Sequence, residues 1–173
     1  MFEKKDYIIQ ISKLNRGENR FEYKIDKELF DYFDSQDVQD VDCNLNVLAK
    51  KSENMIEIEF SFKGQISVLC GRCLNNMDIL VDKQDVLYVK FGDKYEEVDI
   101  NEIIIPEKEN DINLIQYIYD DLLLEVPISP KHENEEDCDK EMLEKISLMK
   151  EQQKKDEDEI DPRWEKLKEL KNK

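Results

Sequence analysis

The stretch "NMIEIEFSFKGQISVLC", Asn54 to Cys70, constrains the fold more than any other. Ile56, Ile58, Phe60 and Phe62, then Ile66, Val68 and Cys70, all share one parity. Successive side chains of a strand point to opposite faces, so this pattern gives one apolar face and one polar face; a helix would scatter the same residues around its axis. Gly64 interrupts the run, and a glycine inside a strand pattern predicts a bulge or bend that lets one long strand curve.

The alternation recurs on both sides. "DVDCNLNVLAK" places Val41, Cys43, Leu45 and Val47 on one face, and "RFEYKID" does the same for Phe21, Tyr23 and Ile25. In "DYIIQISKL", Ile9 and Ile11 alternate with polar residues; with the turn signal "NRGEN" around Gly17, this predicts a first hairpin. "KELFDYF" reads as a short turn or helical piece, and "DILVD" and "DVLYVKF" as more β-structure ending at a "GDKY" turn. These segments predict an antiparallel, β-rich core over roughly the first 100 residues.

The period changes after Glu107. In "ENDINLIQYIYDDLLLEVP", Ile112, Ile115, Tyr119 and Leu122 fall at helical spacing, and Ile118 and Leu123 widen the stripe. Asp111 is the expected N-cap, and Val126-Pro127 the stop, because a residue before proline avoids the α region. An acidic loop, "ISPKHENEEDC", leads to a charged helical stretch from Asp139, whose stripe of Met142, Ile146 and Met149 is thin. "IDPRWEKLKELKNK" restarts a helix with Asp161 as N-cap and Pro162 at its first position; its seam of Trp164, Leu167 and Leu170 is expected to dock on the domain or on a partner. The predicted class is α+β. A curved antiparallel sheet or partial barrel with one packed helix (111–126) fills residues 1–138, and a charged helical tail fills 139–173.

Charge narrows the function classes. Asp and Glu number 43 against 26 Lys and Arg, a formal net charge of -17. Nucleic-acid affinity depends on cations that neutralise phosphates, so this balance disfavours direct RNA binding and favours a basic protein partner. No apolar run reaches the ~18 residues of a membrane span, and "MFEKKDYIIQISKLNRGE" carries charges where a signal peptide is apolar. A cytoplasmic protein is expected, and with it four cysteines outside any disulfide framework.

Cys70 and Cys73 hold the clearest chemistry, and three readings compete. A redox pair needs its first cysteine at a helix N-terminus, where the dipole lowers the thiol pKa. Here a strand leads in, and "LNNMDILVD" reads as a turn into another strand. A metal site needs four ligands: with His132, the sole histidine, and Cys138, the pair makes a Cys3His set suited to tetrahedral zinc. The spacing His-x5-Cys is looser than usual. The third reading packs the cysteines as small apolar side chains, as the parity of Cys43 suggests for that residue. No GxSxG, P-loop or GxGxxG occurs, and Gly17, Gly64, Gly71 and Gly92 are too scattered to cradle a phosphate. The strand aromatics lack interleaved cations, so no RNA-stacking platform is expected.

"FSFKGQISVLCGRCL", "DLLLEVPISPKHENEEDC" and "DPRWEKLKELK", in this order, resemble the bacterial YceD family. The resemblance runs through Gly64, Cys70, Arg72, Cys73, Leu122 to Leu124, Pro127, His132, Cys138 and Asp161-Pro162. Where some members carry a second CxxC-type pair, this chain has one histidine and one cysteine. The family is linked to accumulation of large-subunit ribosomal RNA, and its genes often neighbour that of a large-subunit ribosomal protein. The resemblance implies a non-enzymatic ribosome-biogenesis factor and strengthens the zinc reading. Set against the acidic charge, it predicts action through a basic ribosomal protein or rRNA-processing factor. The rivals are a CxxC thiol-redox protein and a direct RNA-binding module using Lys166, Lys168, Lys171 and Lys173.

Overall fold

The computed structural model describes residues 7–157, with side chains through residue 150. The chain divides into two compact units: residues 1–69 with 76–130, and residues 70–75 with 131–173.

The first unit is mostly strand. Its strands are β1 (Ile8–Gln10), β2 (Gly17–Ile25), β3 (Val38–Lys51), β4 (Met55–Leu69), β5 (Asn76–Gly92), β6 (Glu96–Asp99), β7 (Glu102–Pro106) and β8 (Asp111–Asn113). Helices α1 (Lys27–Tyr32) and α2 (Ile115–Leu124) complete it. Strands with helices on the same core make an α+β arrangement, and the six-stranded sheet is open, in the order β2-β3-β4-β5-β7-β6. Its neighbours are antiparallel except β5 and β7, which run parallel, so the expected purely antiparallel sheet is corrected at that pair.

The alternation read from the sequence is the pleat of this sheet. Ile56, Ile58, Phe60, Phe62, Ile66 and Val68 are buried on β4, facing Cys43, Leu45 and Val47 of β3 within one core. Each large apolar side chain buried here contributes roughly 1.5–3 kcal/mol, enough to fix the register, since a slip of one residue would turn the whole set to solvent. Asp26 caps α1 by accepting from the Glu28 N–H at 2.9 Å.

Three local expectations are corrected and one is made more definite. β1 does not form a hairpin with β2; it pairs with β8, which brings Ile9 opposite Ile112, while β2 pairs with β3. Gly64 makes no bulge: β4 stays in register through it with both neighbours, Cys43 on β3 and Val81 on β5. The glycine is there because the β3 backbone comes close, and a Cβ would lie 2.6 Å from the Cys43 Cα. "DILVD" and "DVLYVKF" are one strand, β5. The expected helix from Asp111 to Val126 begins with β8, and α2 starts at Ile115, whose N–H donates to Asn113 Oδ1 at 3.0 Å. Ile112 belongs to a strand because its partner, Ile9, is distant in sequence.

The charged stretch inside β5 has an electrostatic reason. Lys83 shares the inward parity of Val81 and Leu87, and its ammonium pairs with Asp121 of α2 at 3.0 Å. Asp121 is only 8% exposed, and burial pushes its carboxyl up to about 6, against the opposing pull of Lys83, with Asp85 adding to the rise. The raised value means that the folded state binds this proton more tightly than the unfolded state. Asp121 therefore adds stability as pH falls from above 6 towards 3.8, and that gain is lost as pH rises through 6. Denaturant unfolding of the wild type and Asp121→Asn between pH 7 and pH 4 is expected to show the wild type gaining on the variant as pH falls. Parallel profiles would refute the assignment.

Candidate metal centre

The second unit is built on two short pieces of chain. The loop Cys70–Asn75 joins β4 to β5, and the segment from Lys131 carries a 3-10 turn (Glu135–Asp137) and helix α3 (Lys140–Glu157). The loop is tightly closed: the Cys70 N–H donates to the Asn75 carbonyl at 2.8 Å, and the Leu74 N–H to the Cys70 carbonyl at 2.9 Å. Closure puts Leu74 in the left-handed region, at φ 62°, which costs a non-glycine residue on the order of 1 kcal/mol. On the other side, the Cys138 N–H donates to the Glu135 carbonyl at 3.1 Å, and Asp139 caps α3 by accepting from the Met142 N–H at 2.8 Å. Cys138 is thus pinned between a 3-10 turn and a helix cap.

These pieces bring Cys70, Cys73, His132 and Cys138 together, with one ligand atom from each lying within 4.8 Å of all the others. His132 Nδ1 is 3.6 Å from Cys73 Sγ and 3.6 Å from Cys138 Sγ. A tetrahedron with Zn–S of about 2.3 Å and Zn–N of about 2.0–2.1 Å has S···N edges of about 3.5–3.6 Å and S···S edges of about 3.8 Å. The observed S···N separations are those of such a tetrahedron's edges, and the soft donor set suits zinc.

Burial separates these residues from ordinary core cysteines. Cys70, Cys73 and Cys138 are 0%, 2% and 5% exposed, yet none belongs to the apolar core cluster; Cys43, also fully buried, does belong to it. Burial pushes the Cys43 thiol up to about 11, the state of an inert packed thiol. Cys70 behaves oppositely. Burial would raise its thiol, but peptide N–H groups of Cys73, His132 and Arg72 outweigh it and bring the value down to about 6. One of them, the Arg72 N–H, points at Sγ from 3.4 Å. Burial, then the neighbouring Cys73 and Cys70, pushes the Cys138 thiol up to about 11. A second or third thiolate is unfavourable here without a cation, so metal binding must release protons.

Arg72 is placed to offset negative charge at the cluster. Three thiolates around one divalent ion would leave one net negative charge. The Arg72 guanidinium lies 3.9 Å from Cys138 Sγ and pairs with Glu135 at 3.4 Å. Partners of this kind orient ligands and tune the metal. Residue type, the CxxC pair with the sole histidine and a further cysteine, singled out these four in the sequence; the place of Arg72 beside them was legible only as the third letter of "CGRC".

α3 sets Met142, Leu143 and Ile146 half-buried, while Met149 is 63% exposed, so the apolar stripe covers only the first turns. Trp164, Leu167 and Leu170, and the terminal lysines, lie outside the described residues. Among the described residues no helix is long and apolar enough to cross a membrane.

The family model of the large ribosomal RNA subunit accumulation protein YceD matches residues 58–171, most of the chain. Nothing among curated proteins or solved structures matches it.

Proposed function

The chain belongs to the YceD family, and from that premise we propose that it supports accumulation of large-subunit ribosomal RNA as a non-enzymatic, zinc-stabilised cytoplasmic factor acting through a basic protein. The family name ties the chain to that RNA. The observation that carries the finer reading is the net charge of -17. A surface of this sign repels a polyanion and speeds encounter with a cationic protein, so the partner is a basic ribosomal protein or an rRNA-processing factor.

The metal centre supports a structural role. Four protein ligands would complete the zinc coordination sphere and leave no open position for substrate. The buried sulfurs of Cys70 and Cys73 are out of reach of a disulfide-exchange partner, and no helix starts at Cys70, which weighs against thiol-redox chemistry. When bound, zinc would supply the cross-link that holds the Cys70–Asn75 loop to the segment from Lys131.

The test is an affinity pulldown at about 0.1 M and about 1 M salt, with bound protein and RNA identified. A basic protein should be retained after nuclease treatment and lost at the higher salt. Tight binding to deproteinised rRNA, with no basic protein required, would overturn the reading.

A further inference from the structure

The sequence contains 26 Lys and Arg residues, yet none lines a groove of about 700 Å³ in the sheet unit. The groove lies along β6, the turn into β7, and α2. Its carboxylates are Asp85, Glu97, Asp99, Asp120 and Asp121. Among the described residues only Asp121 has a cationic partner, Lys83. The donors to the others are neutral: Tyr95 Oη to Glu97 at 2.8 Å, Asn101 to Asp85 at 3.0 Å, Gln116 to Asp120 at 2.9 Å and the Ile100 N–H to Asp99 at 2.8 Å.

The same groove concentrates exposed apolar surface. Tyr95 is 54%, Val98 52%, Ile100 88% and Leu124 75% exposed, and all four line it. Single exposed apolar residues are ordinary, but a contiguous set rimmed by charge marks an interaction surface. β6 is also the edge of the sheet, and all four of its residues are exposed.

We propose that this groove is the docking site for a segment of the basic partner in which lysine or arginine alternates with aliphatic residues. The inference rests on the basic-partner reading above and locates it. Lysine and arginine stems lie along apolar surface while their heads reach charge, which matches a groove with carboxylates beside Val98, Ile100 and Leu124. Tyr95 and Tyr117 also line the groove, and aromatic rings of this kind attract cations. Other occupants fit worse. A neutral apolar segment would bury carboxylates that lack a cationic partner, and a polyanion or a second copy at -17 would meet like charge.

The test uses the full chain and a fluorescein-labelled peptide in which arginines alternate with leucine and valine, with an arginine-to-glutamate counterpart as control. Wild type should bind the arginine peptide, more weakly as salt rises, and should ignore the counterpart. The double variant Glu97→Lys/Asp99→Lys should weaken binding about tenfold or more. Leu124→Gln, which changes no charge, should weaken it about threefold. Thermal unfolding verifies that each variant folds. Charge reversal outside the groove, Glu107→Lys/Glu109→Lys, should leave binding within about twofold. An equal loss from that control would overturn the groove while leaving the basic-partner reading standing. Failure of wild type to bind either the peptide or any basic protein in the pulldown would overturn both.

Discussion

Cys73→Ser is expected to abolish zinc retention and to unfold the segment from Lys131 through α3, while the six-stranded sheet stays folded. The reason lies in what else could hold that unit. Among the described residues its buried non-polar side chains are Cys70, Cys73 and Cys138, and α3 adds only half-buried Met142, Leu143 and Ile146. A core so small cannot offset the ordering of a segment this long, whereas structural zinc binds such ligand sets with an apparent free energy on the order of 10 kcal/mol. Serine removes one of the two sulfurs that lie 3.6 Å from His132 Nδ1. Elemental analysis of untagged protein measures occupancy, and hydrogen exchange across α3 measures folding. Cys43→Ser is the internal control. It alters a cysteine of the sheet core, so it should cost packing stability and leave zinc content unchanged. Zinc content in Cys73→Ser equal to that of wild type would refute the site, as would a wild type that takes up no zinc after reduction and reconstitution.

Much of the fold was legible because the signal was local. Parity along β2, β3 and β4 identified the inward face, and the ligand count identified Cys70, Cys73, His132 and Cys138 as one possible set. What escaped was set at long range. Nothing near Ile112 reveals that it pairs with Ile9, so a helical period swallowed a short strand. Lys83 and Gln84 fell outside both β-readings because a buried cation on a pleat has no local marker; the justification of Lys83 is Asp121, on an element 38 residues away. The acidic groove was hidden for a related reason. Charge runs such as "ENEED" dominate the sequence, while the carboxylates that converge come from three separate elements: one from β5, two from β6 and two from α2.

Gly64→Ala is expected to cost about 3 kcal/mol, the upper range for forcing volume into a packed site. In a protein of this size that lowers Tm by about 6–12 °C. The added methyl would sit 2.6 Å from the Cys43 Cα and closer still to the Asp42 carbonyl oxygen, both backbone atoms of β3. A flexible side chain could swing away, but here a strand would have to move. β3 is held on one side by β2 and on the other by the whole length of β4, and its inward residues Val41, Cys43 and Leu45 are 4% exposed or less. Relief on one side therefore opens the core on the other. Gly17→Ala distinguishes this mechanism from loss of backbone freedom. Gly17 has φ +90° but nothing within 4 Å of its would-be Cβ, so that variant carries conformational strain alone and should cost about 1 kcal/mol. Urea unfolding of both variants against wild type measures the contrast. A Gly64→Ala cost no larger than that of Gly17→Ala would mean that β3 yields, and that the close approach is not what excludes a side chain from position 64.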